Sequence, residues 1–521
     1  QRLTACLLLC AAWQAHALTL DAAQAMAVGD TDARIAAVQA AIATPDDATV
    51  AFIRALQDDA VKMVGDQPIV VQDDQGRDPV TGAAVPLPED AEDIINNNRM
   101  RGALGNALAA LQLRSSDVAE RRAAIDVLLE ESDEAGLPAI EQALVVEQDA
   151  GLKALLENIR ARTLIASSDP ARRLDAAQHL AASGNPATRT VLLEQLRVEA
   201  DPKVKAAMQA ALKSVEERLR WGEWLAALFS GVSLGSILLL VALGLAITYG
   251  LMGVINMAHG ELMMIGAYAT YVVQGVFQRY LPGTFDWYLV AAVPVAFLAS
   301  ALMGAALERS VIRFLYGRPL ETLLATWGIS LVLQQLVRSV FGAQNVGVEN
   351  PVWMSGGVQL MDNLQLPWNR IVIVGFALAV LAGVAFLISR TRLGLFVRGV
   401  TQNRPIASCM GVNTARVDTY AFALGSGIAG LAGCALSQVG NVGPDLGQGY
   451  IVDSFLVVVL GGVGQLAGTV YAALGLGVLN KFLEGWTGAV LAKIAVLVFI
   501  IIFIQKRPQG IFAMKGRSAE A

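Results

Sequence analysis

The sequence predicts an all-α polytopic membrane protein with discontinuous helices, preceded by an exported, mostly α-helical domain. Three observations carry that prediction. The 521 residues are 55% hydrophobic and only 16% charged, against about a quarter charged for ordinary soluble domains. Charge also divides the chain: residues 18–218 carry a net −13 and residues 219–521 a net +6, as befits two domains in two solvents. Finally, apolar stretches close to the length of a membrane span recur only from Trp224 onward. The overall charge of −6 averages over these halves, and no nucleic-acid partner is expected.

The elements follow in order. "QRLTACLLLCAAWQAHA" has a short apolar core, Leu7–Ala12, followed by Ala15-His16-Ala17, the small-x-small pattern of a cleavable signal peptide at 1–17. Leu3-Thr4-Ala5-Cys6 resembles a lipoprotein box, but its apolar core follows the cysteine instead of preceding it. Cys409 and Cys434 then remain, too few for a disulfide framework. Residues 19–64 and 99–218 place apolar residues at helical spacing, as in "AIDVLLEESDEAGLPAIEQAL". "RRAAIDVL" at Arg121 returns as "RRLDAAQHL" at Arg172, and "EQDAGLKALLENI" at Glu147 as "EADPKVKAAMQAAL" at Glu199, offsets of 51 and 52. Such a period suits stacked antiparallel helix pairs of the HEAT-like kind. The segment near 66–90, "PIVVQDDQGRDPVTGAAVPLP", has turn punctuation and predicts an exposed β-hairpin or long loop. This 18–218 domain suits either a solvated cap or a docking surface for a soluble partner.

Residues 219–521 form the membrane domain. Uninterrupted spans are expected at 225–247, 287–307, 321–341, 370–389, 417–440 and 488–504. Two further regions, 249–275 and 453–483, are apolar but broken. With the preceding domain outside, Arg309, Arg313 and Arg318 share one inner loop. Arg390, Arg392, Arg398, Arg404 and Arg416 share another, and Lys506-Arg507 is also inside, which is the positive-inside bias. An odd number of crossings follows: seven if 453–483 is a re-entrant pair, nine if it makes two short crossings.

Backbone that leaves helical geometry within a bilayer has to be satisfied by protein or by a water-filled cavity, and polar groups at that depth mark solute paths. The breaks place Gly253 and Gly260 on one side and Gly461, Gly462 and Gly464 on the other as hinge glycines. Asn256, His259 and Glu261, with Thr326, Ser330 and Gln334 at i, i+4, i+8 spacing, and Gln438, Asn441 and Gln465, are candidates to line a path. Each has a plainer reading. Asn256 and His259 suit caps of the breaks, Glu261 suits a charge balance, and a Thr/Ser/Gln stripe suits interhelical hydrogen bonding. No metal site is expected, since His179 and His259 lie in different domains. No cofactor is expected, no G-x-x-x-x-G-K-[ST] occurs, and no nucleophile–base constellation suggests an enzyme. The loop 389–418 is too polar to span; "FVRGVTQ" and "PIASCMGV" predict two short helices joined at Gln402-Asn403-Arg404, with Asn403 as N-cap. Fixed between two spans, it suits a lever or a basic loop that sets topology.

"GLMGVINMAHGELMMIGAY" resembles the signature of the branched-chain amino-acid ABC permeases, which carry a similar V-I-N-x-A-H-G-E run. The 389–418 loop resembles their coupling loop, followed by the "FALGSGIAGLAG" span, and the resemblance runs over 225–515. A narrower resemblance, to the urea-type permease subunit, rests on "SQVGNVGPDLGQGYIVDSFLVVVLGGVGQLAGTV" and "FIQKRPQGIFAMKGR", and the added exported domain suits it. The resemblance implies a multi-pass subunit of the bacterial inner membrane, in contact with lipid. Its partners would be a second permease subunit, two ATP-binding subunits and a periplasmic solute-binding protein. It implies that Arg392, Gly394, Arg398, Gln402, Asn403, Arg404 and Gly411 belong to the ATPase-coupling loop, which Gly399 and Pro405 make less regular than the family pattern. The expected solute is urea, with branched-chain amino acids or short amides as the alternative. A passive solute channel is the reading from another class, and it needs no lever loop.

Overall fold

The computed structural model describes residues 18–43, 46–72, 75–88, 91–131, 136–507 and 509–512; the signal sequence expected at 1–17 lies outside them. The chain divides into two compact units at Leu219/Arg220.

In the first unit, α1 (Leu20–Ala27), α2 (Thr31–Ala43) and α3 (Asp47–Gln57) lead into five short strands. These are β1 (Val61–Val64), β2 (Gln67–Gln72), β3 (Gln75–Arg77), β4 (Ala84–Val85) and β5 (Glu92–Asp93). They pair antiparallel in the order β4-β3-β2-β1-β5, and α4 (Asn98–Gln112) follows. This corrects the expectation of a helix up to 64 and a hairpin from 66. Gly65, at φ +60°, opens a two-residue turn between β1 and β2, the tight connection such pairs favour. The sheet is also less exposed than expected: Val61 joins Met26, Phe52, Leu56, Met100 and Leu104 in one buried core.

The helices α5 (Val118–Glu131), α6 (Leu137–Val146), α7 (Ala150–Leu164), α8 (Pro170–Leu180) and α9 (Pro186–Val198) follow. Asp149, Asp169 and Asn185 cap α7, α8 and α9 through their side chains. The repeat has a definite geometry. Arg121 grips Glu147 through Nε (2.8 Å) and Nη2 (3.1 Å), and donates from Nη1 to the carbonyls of Ser115 and Ser116. Arg173 does the same with Glu199 (2.7 and 3.0 Å) and with Ser167 and Ser168. Both pairs lie 52 residues apart, so the partner of Arg121 is Arg173 and the offset of 51 at this arginine is corrected by one residue.

α10 (Pro202–Met252) carries the chain into the second unit. Then come α11 (His259–Tyr280), α12 (Tyr288–Ser310), α13 (Pro319–Phe341), the hairpin β6 (Gly357–Met361) and β7 (Leu364–Pro367), and α14 (Trp368–Arg390). They are followed by α15 (Arg392–Gln402), α16 (Arg404–Cys409), α17 (Thr414–Ser437), α18 (Gln448–Gly461), α19 (Leu466–Thr487) and α20 (Ala489–Lys506). Among the described residues seven helical stretches are long and apolar enough to cross a membrane: Pro202–Gly250, Pro282–Ser310, Leu320–Phe341, Trp368–Arg390, Thr414–Ser437, Leu466–Thr487 and Ala489–Lys506. The outer faces are apolar and open, as with Val490, Leu491, Ile494 and Val498 of α20, which suits contact with lipid. At the centre α11, α12 and α17 approach backbone to backbone. A Cβ at Gly433 would lie 1.9 Å from the Met263 carbonyl, and one at Gly266 2.2 Å from the Gly430 carbonyl; small residues make such crossings possible.

The segment 453–483 forms two helices joined by a turn. α18 ends at Gly461, the chain turns through Gly462 and Gly464 at φ +98° and +77°, and α19 is itself of spanning length. The turn lies level with two helix ends. Gly464 abuts Gly250 near the end of α10, and Ile511, beyond α20, donates to the Leu460 carbonyl at 2.8 Å. α18, with 14 residues, is shorter than a span.

Candidate translocation site

The break after α10 is built by short-range chemistry. Met252 ends the helix, Gly253 turns the chain at φ +64°, and α11 restarts at His259. Asn256 stabilises the restart, its Oδ1 accepting from the Ala258 N–H at 3.0 Å. Thr326 Oγ1 on α13 accepts from the Met257 N–H at 3.1 Å. The irregular backbone thus finds partners inside the protein, as membrane burial requires.

α11 begins within the bundle and not at its edge. His259 Nε2 bonds the Val241 carbonyl at 3.1 Å, well back along α10. Glu261 meets the middle of α13, where Ser330 Oγ and Gln334 Nε2 each donate to its Oε1 at 2.8 Å. Glu261 and Asn256 are each 1% exposed. Among the described residues Glu261 Oε2, Asn256 Nδ2 and Tyr268 Oη are buried without a hydrogen-bond partner. Asp445, which sequence reasoning missed, lies exposed in the non-helical stretch that ends at Gly447, which abuts Gly260.

Five of the nine residues expected on the path come together here: Asn256, Glu261, Thr326, Ser330 and Gln334. His259 is beside them, but its ring is turned onto α10, in space left by Gly244, so it anchors the start of α11. Gln438 lies elsewhere, accepting from Tyr288 Oη at 3.2 Å at the start of α12. Asn441 is exposed, next to the isolated bridge between Val346 and Val442. Gln465 sits at the start of α19 with no side-chain cap bond. The second discontinuity is likewise displaced from its expected place. The hinge glycines Gly461, Gly462 and Gly464 form a turn at helix ends, whereas Gly260 abuts Gly447 backbone to backbone. The broken element facing 253–258 is therefore the non-helical stretch 438–447, whose Pro444-Asp445 pair was the available signal.

The 389–418 loop forms α15 and α16, separated at Asn403. Its Oδ1 accepts from the Ile406 N–H at 3.0 Å, with Pro405 in the first turn. Gly394 packs so closely on the Ile388 carbonyl that a Cβ would lie 2.1 Å from it. Gly411 turns the chain at φ +83°. Arg392, Arg398, Gln402 and Arg416 are exposed, among exposed Leu395, Phe396, Ile406 and Met410.

A helical bundle with spans, an interrupted helix and a buried polar cluster at the interruption defines a membrane transport protein. The chain belongs to the family described as "Branched-chain amino acid transport system / permease component", whose model matches residues 227–505. It is a multi-pass permease component and not an enzyme. It is 29% identical over 293 residues to the high-affinity branched-chain amino acid transport system permease protein LivH of Salmonella typhimurium, covering 54% of this chain and 94% of that protein. It is 27% identical over 294 residues to BraD of Pseudomonas aeruginosa, with 55% and 95% covered. A shorter match, 28% over 146 residues, is to the ribose import permease protein RbsC of Escherichia coli, with 27% and 39% covered. No solved structure matches the chain significantly.

Proposed function

We propose that the chain is the permease of an ATP-driven importer of urea or a closely similar neutral amide. One of two ATP-binding subunits seats on residues 389–418, a second permease subunit completes the pathway, and a periplasmic binding protein delivers solute. In this reading the first unit is periplasmic and the end of α20 cytoplasmic. The observation that carries the solute class is the polarity of the cluster at the start of α11. Glu261 Oε2 offers an open acceptor and Asn256 Nδ2 an open donor. Among the described residues Glu261 takes no part in the ion pairs of the second unit. A planar solute with several N–H donors and one carbonyl has groups complementary to these two atoms. The 219 residues of the first unit also lie outside the stretch matched to the family model.

A second reading, import of branched-chain amino acids, is favoured by the names of the relatives. Uptake into proteoliposomes holding the complete complex separates them. Labelled urea should accumulate only with ATP, and excess leucine should not compete; accumulation of leucine without urea would establish the second reading. Arg398→Glu or Gly411→Trp should leave the protein in the membrane yet uncouple hydrolysis from uptake. Full-speed urea flux through the purified chain alone would make it a channel.

A further inference from the structure

We propose that Arg404, Tyr316 and Glu308 form the mechanical link between the helices α15–α16 and the broken segment 253–258. This inference rests on the reading of α15–α16 as the ATPase seat, and it assigns the residues that carry motion from that seat to the solute site.

Arg404 opens α16, and it is the basic residue of this loop whose side chain reaches into the bundle. Its guanidinium pairs with Asp418 of α17 and lies over the ring of Tyr316, 5.1 Å from the centroid. Tyr316 sits in the turn between α12 and α13. Its hydroxyl donates to Glu308 Oε1 at 2.9 Å and lies 3.2 Å from Met252 Sδ. The other oxygen of Glu308 accepts from Thr419 Oγ1 at 2.6 Å, so this wholly buried carboxylate ties α12 to α17. Met252 is the last residue of α10, and Val254 lies within the break. Val254, Ile312 and Phe422 form a small buried cluster with Met252 and Tyr316 packed against it. On the far side of the break, Thr326 holds the Met257 N–H.

Motion passes through a protein along contacts that resist both pushing and pulling. A charge pair combined with a guanidinium–ring stack is such a contact, and a carboxylate bonded on both oxygens leaves no slack. A displacement of α16 therefore carries Tyr316 through Arg404. Tyr316 in turn shifts Met252 and Val254, two residues ahead of Asn256. The arrangement has two sides: one clamp at Tyr316 and another at Thr326, with the irregular backbone between them free to change its turn at Gly253.

The test is the ratio of solute imported to ATP hydrolysed by the complete reconstituted complex. Tyr316→Phe keeps the ring under Arg404 and removes the hydroxyl; Tyr316→Leu removes both. Hydrolysis should stay near the wild-type rate in both variants. The transport-to-hydrolysis ratio should fall about 5-fold in the first and about 50-fold in the second, the range spanned by ordinary coupling free energies. Wild-type ratios in both variants would overturn the link while leaving the docking reading intact. A proportional fall of uptake and hydrolysis would also overturn it, because that marks lost assembly and not lost transmission. Failure of the docking reading itself looks different: the wild-type complex would then show no ATP-dependent uptake at all.

Discussion

Glu261 and Glu308 are both carboxylates buried in the helix bundle, yet they are held in opposite ways. Glu308 is bonded on both oxygens, to Tyr316 and to Thr419. Glu261 receives two bonds on one oxygen and none on the other. Burying a polar group without a partner is costly, so a fully bonded carboxylate belongs to the architecture, while the half-bonded Glu261 is the one that the proposed solute contact would use. The contrast separates a strut from a site.

The sharpest way to break that contrast is to replace each glutamate by glutamine, which keeps one carbonyl oxygen and turns the other into an amide donor. Glu261→Gln should reduce uptake by tenfold or more, a loss of at least about 1.4 kcal/mol in transition-state binding, while the thermal unfolding of the detergent-solubilised protein stays close to wild type, because the remaining carbonyl oxygen still accepts from Ser330 and Gln334. Glu308→Gln turns an amide donor toward Tyr316 or Thr419, which both donate to the native carboxylate, and a buried hydrogen bond lost in this way costs about 1–3 kcal/mol. Its unfolding temperature should drop visibly. Equal losses of stability in the two variants would mean that Glu261 is a strut as well, and the proposed solute contact would go with it.

A second comparison sits on one helix. Gly266 and Gly275 are both in α11, but a Cβ at Gly266 would lie 2.2 Å from the Gly430 carbonyl, and one at Gly275 would meet nothing within 4 Å. Gly266→Ala must push α11 away from α17, an overpacking cost of about 1–3 kcal/mol, and should reduce both folded yield and uptake. Gly275→Ala gains helix propensity of roughly 1 kcal/mol at most and should be neutral or slightly stabilising. A neutral Gly266→Ala would show that the central helices pack less tightly than their backbones suggest.

Much of this was legible in the sequence, and the failures have physical causes. Composition and the length of apolar runs located the spans, because lipid imposes one length and one polarity on a helix. The polar run Asn256–Glu261 and the Thr326/Ser330/Gln334 stripe were recognisable as one face of each helix, and the fold brings those faces together. The second break was misplaced because glycines mark both tight turns and interrupted helices. "LGGVGQLAG" turned out to be a turn between two helices, while 438–447, with fewer glycines in succession, carries the irregular backbone. Gln438, Asn441 and Gln465 have the chemistry of path residues, but polarity does not say at which end of a helix a residue falls. The roles of Glu308, Tyr316 and Asp418 were not visible either, since each depends on contacts between distant segments.

The smallest effect belongs to the first unit, whose two repeats offer an internal control. The Arg121 hydrogen bond holds the Glu147 carboxyl below its ordinary value of 4.5, and Arg173 does the same for Glu199. Because both acids titrate lower when folded than when unfolded, the stabilisation is complete above pH 4.5 and drains away as pH falls through the folded value. Hydrogen-exchange protection over residues 167–201 should therefore drop between pH 5 and pH 3. Arg173→Gln should lower that protection already at pH 7 and flatten its dependence on acid, while residues 115–149 keep theirs within about two-fold, as separated sites usually do. If both loops loosen together, the repeats fold as one cooperative block and the ion pairs are not independent local clamps.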